Sequence, residues 1–220
     1  SIIQAQSLLL DGVDPHLTLK LSQTIEQLIQ ALAKSQKYLK KRKFNKVQKW
    51  LGIDIEYGSS QIEYYKNLNE LLDRADDLSQ KLQIEIQKAQ ARFKQLISLR
   101  AKMFQYIVSA EEFLLEYPSF VKDIHPLDQF SERLSKKINT LYTLQASNDI
   151  AITQMQLSQQ LSFGLLDRFK EAQQVLIPAW QYHVKQSQQS NSTVELEKLD
   201  NSRETLIRNL KKSLEKPSNS

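Results

Sequence analysis

The sequence predicts an all-α protein, an elongated antiparallel bundle of long, coiled-coil-like helices, and three observations predict it. The first is a series of apolar positions, Leu68, Leu71, Ala75, Leu78, Leu82, Ile86, Ala89, Phe93, Leu96, Leu99, Met103, Ile107, Ala110 and Leu114. They recur at a mean spacing of about 3.5 residues, the period of a helical seam rather than of a strand. The second is the scarcity of turn formers, with four glycines and five prolines in 220 residues, too few for a sheet of many short strands. The third is the dominance of Leu, Gln, Lys, Glu, Ala and Ser, most of which lose little rotamer freedom in a helix.

The breakers divide this pattern into elements of one helical domain, residues 1–220. Residues 1–16 are expected to be a poorly ordered N-terminal segment. A first helix is expected from about Leu17 to Leu51 and contains a basic-aromatic segment, residues 37–51. Gly52 and Gly58 bracket a connection, after which the seam forms a central helix over residues 59–117. Leu72, Ile84, Ile97, Phe104, Phe113 and Leu115 lie beside the seam and widen it, so more than one partner helix is expected to cover it. Pro118 and Pro126 bracket the next connection. A third helix spans residues 127–185 with a kink near Pro178, where the hydrogen-bond ladder loses a donor. A polar stretch from Gln186 to Thr193 precedes a charged helix over residues 194–215 and a tail, residues 216–220.

The residue types exclude several kinds of chemistry. Without cysteine there is no disulfide, thiolate metal site or thiol nucleophile. His16, His125 and His183 stand alone, with no second ligand at helical spacing. The adjacent acids Asp76-Asp77 and Glu111-Glu112 point about 100° apart on a helix and share no face. Phosphate-cradling glycine loops and nucleophile elbows are absent from the sequence. The expectation is a non-enzymatic protein with no catalytic residues, cofactor or metal. No apolar run approaches the ~20 residues of a membrane-spanning helix and no signal-peptide pattern opens the chain, so a cytoplasmic protein is expected, with peripheral association at the inner membrane face as an extension of that reading.

Charge is concentrated in one place. Lys37, Lys40, Lys41, Arg42, Lys43, Lys46 and Lys49 occur with no acid among them, so a chain of net charge +5 is net negative outside this segment. Tyr38, Leu39, Phe44, Val47, Trp50 and Leu51 interleave with the cations. That mixture of cationic and apolar groups suits an anionic partner or an anionic lipid surface, where each Lys or Arg contributes about 1 kcal/mol; it is equally a solvated helix end complementing the macrodipole. From Gln145 to Gln160 the sequence is polar almost throughout, read either as an amide layer that fixes helix register or as a solvent-facing stripe.

Several short motifs carry a family resemblance. Ile152-Thr153-Gln154-Met155-Gln156-Leu157, followed by Leu176-Ile177-Pro178-Ala179-Trp180, resembles the C-terminal half of the bacterial toxic anion resistance (tellurite resistance, TelA-like) proteins, with Thr153, Gln154, Ile177, Pro178 and Trp180 as the family-like residues. The order of the basic-aromatic segment Lys40 to Trp50, Gln61-Ile62, the acidic Leu-rich stretch Leu68 to Leu78, and Met103-Phe104-Gln105-Tyr106-Ile107 with Ala110-Glu111 is also similar. The likeness covers roughly residues 40–210, and the polar stretch Gln186 to Thr193 departs from it.

The resemblance implies a cytosolic, non-enzymatic protein tied to toxic oxyanions and to envelope or phage stress. Joined to the residue pattern, it leads to a helical adaptor or scaffold whose partners are other resistance proteins, with an anionic membrane surface and self-association as further contacts. The alternatives are a membrane-shaping or lipid-binding helical protein and a nucleic-acid-associated coiled coil. Nucleic acid is disfavoured by the acids throughout the long helices.

Overall fold

The structure is a computed structural model and describes residues 13–39, 45–120, 129–189 and 192–215. Every regular element among them is helical: α1 (Pro15–Leu39), the short α2 (Lys46–Trp50), α3 (Ile53–Phe120), α4 (Phe130–Glu171), a π-helical turn (Ala172–Leu176), α5 (Ile177–Gln189) and α6 (Thr193–Leu214). The expected tail, most of the expected N-terminal segment, and Pro126 lie outside the described residues. So does the core of the basic run, residues 40–44.

Each boundary has a local cause. Asp14 caps α1 by accepting the His16 backbone N–H at 2.8 Å, and Pro15 occupies the first helical position, where a missing N–H does no harm. Of the two glycines expected to bracket a connection, only Gly52 makes a turn. Its φ of 70° is the left-handed conformation that glycine tolerates, and its N–H bonds to Lys49 O at 3.0 Å to close α2. Gly58 instead lies within α3, which begins five residues before it with Asp54 and Glu56 in its first turn, where acids favour the positive end of the helix dipole. Pro118 is also absorbed, two residues before the helix ends.

The irregularity expected at Pro178 falls just before it. From Ala172 to Leu176 the backbone widens into a π turn, and the Ile177 N–H reaches back five residues to Ala172 O. Widening of the ladder ahead of a proline accommodates the ring and the lost donor without ending the helix. The chain stays helical through Gln189, over part of the stretch expected to interrupt it. Ser192 then starts α6, its side chain accepting the Glu195 N–H at 3.2 Å.

Where the sequence suggests one domain, the described residues form two compact units, residues 86–160 and residues 14–85 with 161–215. In the second unit α6 packs against α1 and α5. Its core contains Leu21, Ile25 and Leu28 of α1, Leu68 and Leu82 of α3, Phe169 of α4 and Leu206 and Leu210 of α6, all nearly inaccessible. Lys170 bonds to Gln83, and Gln173 Nε2 donates to Asp76 at 2.6 Å, fixing the end of α4 and the π turn against α3.

The first unit is an antiparallel pair made by the C-terminal part of α3 and the N-terminal part of α4. Leu96 packs with Ile152 and Met155, whereas Met103 and Ile107 pack with Ile138, so rising numbers on one helix meet falling numbers on the other. Phe113 and Tyr117 meet Phe130, with ring centroids 6.0 and 5.1 Å apart.

All fourteen seam positions of α3 are buried or half-buried. The positions beside the seam behave differently: Leu72 is half-buried, but Ile84, Ile97, Phe104, Phe113 and Leu115 are exposed. The expected covering of the widened stripe is therefore absent at these five among the described residues.

The two glycines provide a paired test. A side chain at Gly58 meets nothing within 4 Å, so Gly58→Ala should stabilise by about 0.5–1 kcal/mol, whereas Gly52→Ala, forced to a positive φ, should destabilise by about 1 kcal/mol or more. Thermal melts of the two variants must shift in opposite directions; a shift of the same sign would contradict the assignment of α3's start.

Candidate functional site

The described part of the basic-aromatic segment is α2 and its exit. Asn45 begins it, its backbone N–H donating to Gln48 Oε1 at 3.0 Å, and Gly52 ends it. Five helical residues contribute no buried side chain, so α2 is held by its ends rather than by packing. Trp50 is 84% exposed, with Val47 and Leu51 also largely exposed. At 3.6 residues per turn, Trp50, Val47 and Leu51 occupy one arc and Lys46 and Lys49 adjoin it. Ile53 and Ile55 extend the apolar patch along the chain into α3, and Ile55 is 74% exposed. The result is a cationic edge beside an uncovered apolar arc, the local pattern of an interfacial helix.

Of the residues expected to meet an anionic partner, Lys46, Lys49 and Trp50 are therefore together and exposed. Lys37 belongs to α1, but its side chain lies outside the description. Lys40, Lys41, Arg42, Lys43 and Phe44 lie outside the described residues altogether. Ile55 was not singled out in the sequence, and Ile62 entered only beside Gln61 in the family-like order, although both are largely exposed. Their seven-residue spacing places them on one face of α3 and outside the seam series.

The family-like residues divide between the two units. Thr153 and Gln154, in the first, are exposed on α4, and the Thr153 hydroxyl donates to the Asp149 carbonyl at 2.9 Å. The Asp149 carboxylate accepts from two N–H groups of the Arg100 guanidinium, Nε and Nη2, the latter at 2.8 Å. This bond raises the Arg100 pKa and lowers that of Asp149. Nearby, Asn148, Ile152 and Met155 are buried, while Gln154, Gln156 and Gln160 face solvent. Most of the polar stretch is thus a solvated stripe, with Asn148 its buried member.

Ile177 and Trp180, in the second unit, are buried, and Pro178 is exposed. Trp180 lines a cleft of about 420 Å³ with Tyr65, Leu68, Asn69, Val184 and Lys185. Its Nε1 is enclosed without a hydrogen-bond partner. Beside it, Tyr65 accepts a hydrogen bond from Gln188 Nε2 at 2.7 Å. The Ile-Pro-x-Trp motif thus holds α5 beside the start of α3, a packing role.

A second cleft, of about 740 Å³, lies between α1 and α3 and is lined by Lys34, Tyr38, Glu63, Tyr64, Glu70 and Arg74 among others. Tyr38 stacks on Tyr64 at 4.9 Å, and the Tyr64 hydroxyl donates to Ala31 O at 2.9 Å. Burial pushes that hydroxyl far above the ordinary phenol range, so it remains a neutral donor. The tyrosine pair carries no periodic signal in the sequence.

These features describe an all-helical protein whose distinctive groups lie on helix surfaces and at packed joints. It is similar to protein KlaA of Escherichia coli, with 29% identity over 169 residues covering 74% of this chain and 65% of that protein. The chain thus spans somewhat less than two thirds of that relative's length. No family model matches the sequence, and no solved structure matches the fold.

The Arg100–Asp149 pair is testable through pH. Both side chains are more than a third exposed, which limits the pair to about 1 kcal/mol or less, the loss expected for Asp149→Asn at neutral pH. Because the folded-state pKa is lowered from 3.8, the contribution is complete above that value and disappears as pH falls through the lower folded value. Denaturation curves of native and variant protein should converge in acid; a difference independent of pH would exclude the linkage.

Proposed function

We propose that this protein is a non-enzymatic helical adaptor in resistance to toxic anions of the tellurite type and to related envelope stress, docking on an anionic membrane surface through the basic-aromatic segment. The observation that carries the docking step is the uncovered arc of Trp50, Val47 and Leu51 beside Lys46 and Lys49. The family-like motifs and the similarity to KlaA support the resistance role. Among the described residues no helix is long and apolar enough to cross a membrane, and peripheral docking requires none.

The chemistry favours a surface over capture of a free anion. Lysines on flexible stems are a poor cage for a small hydrated anion, which is better held by converging backbone donors and arginine forks. A lipid surface instead rewards both components, at about 1 kcal/mol for each cation close to it and about 25 cal/mol for each Å² of apolar area buried.

Vesicle co-sedimentation tests the docking step. The native chain should pellet with anionic vesicles and far less with neutral ones, and Trp50 emission should shift to the blue, since Trp180 is already buried. Lys46→Gln with Lys49→Gln should weaken binding roughly tenfold or more, and Trp50→Ser should remove most of it. Equal pelleting with neutral vesicles, or none with either, would rule out the surface reading. In cells, tellurite tolerance unchanged by loss of the protein would exclude the resistance role.

A further inference from the structure

We propose that the antiparallel α3–α4 pair, residues 86–160, presents a second, largely apolar helical face, uncharged from Ile97 to Val108 and from Ala146 to Leu157, that pairs with the same face of a second copy of this chain. The inference rests on the adaptor reading only in that protein contacts carry the function; its geometry belongs to this unit alone.

On α3, positions 97, 104 and 111 form one row of a 3.5-residue frame and 101, 108 and 115 the next. Ile97, Ala101, Phe104 and Leu115 in these rows are exposed, and Val108 is half-buried. On α4 the matching rows hold Ala146 and Thr153, and Ile150 and Leu157, all exposed. Observed contacts put the two sets on one side of the pair. The Tyr142 hydroxyl donates to Glu111 at 2.8 Å, and Arg100 bonds to Asp149. Both bridges cross on the flank that carries these rows, Glu111 being in line with Ile97 and Phe104.

Three properties identify the occupant as a helical copy of the same chain. The exposed groups repeat at seam spacing, which a facing helix can follow and a flat surface cannot. From Ile97 to Val108 and from Ala146 to Leu157 the rows contain no charge, and the next rows outward hold Ser98, Gln105, Ser147 and Gln154. Such a face attracts no anionic partner, and it lets a chain of net charge +5 meet its copy without like charges opposed. Finally, Ile97, Phe104, Leu115, Tyr142, Ile150 and Leu157 are between 42 and 83% exposed. Together they offer several hundred Å² per protomer, on the order of the ~800 Å² that each partner contributes to a standard interface.

Sedimentation equilibrium of the full chain without lipid tests the proposal. The native protein should run at twice the chain mass at micromolar concentrations. Phe104→Glu with Leu157→Glu should weaken association at least about a hundredfold, with helicity by circular dichroism unchanged because both positions are exposed in the single chain. The milder Phe104→Ser should weaken it less, and Tyr106→Glu, on the opposite flank, should leave the dimer intact. A native monomer throughout, or a dimer indifferent to both face variants, would overturn the proposal. So would a monomer whose melting temperature falls sharply with Phe104→Glu, because the face would then be covered within the chain. None of these readouts involves vesicles or tellurite, so failure here is separate from failure of the docking or resistance reading.

Discussion

A helix of 68 residues does not persist on propensity alone, since helical stability in proteins comes mainly from burying one face. α3 persists because its seam is buried or half-buried at every position from Leu68 to Leu114. Leu68, Leu78 and Leu82 belong to the core of one unit, and Leu96, Met103 and Ile107 to that of the other. Other elements are arranged to supply its cover. α4 provides Ile138, Ile152 and Met155 to the first unit. In the second, α1, the end of α4 and α5 lie beside it, through Tyr38 on Tyr64, Lys170 on Gln83 and Trp180 in the cleft with Leu68, and α6 packs on α1 and α5.

The seam was legible because its period differs from every alternative, and so were the helices that flank it. Less legible were the points where a breaker has two possible outcomes. Gly52 and Gly58 look alike in sequence, yet only Gly52 takes a positive φ. The choice depends on whether the intervening residues gain from being helical, and Asp54 and Glu56 in the first turn of α3 favour that gain. Pro178 posed the same ambiguity. A π turn absorbs its effect five residues wide, and no residue pattern distinguishes that solution from a kink. The division into two units was not legible either, since one uninterrupted periodicity runs across residues 85 and 86.

The candidate site was legible in composition and only partly in geometry. Clustered cations and aromatics announce a segment of unusual chemistry, but whether Trp50 is covered depends on tertiary packing. The family-like residues show the limit from the other direction. Ile177 and Trp180 are buried in packing, whereas Thr153 bonds to its own helix and leaves its flank open. A short motif can therefore be retained for the joint it makes or for the face it presents, and sequence alone does not separate the two.

The two exposed apolar surfaces differ in the solvent they are built to leave. Around Trp50 the apolar groups adjoin lysines, so contact with an anionic surface gains both from removing hydrocarbon from water and from releasing counterions. Around Phe104 the neighbouring rows are neutral, and contact gains only from burial and from shape. The first kind of surface weakens with salt because its charges are exposed and screened, while the second is largely indifferent to it. A protein that carries both would, in the adaptor role proposed for it, respond to a charged boundary and to its own concentration through independent forces.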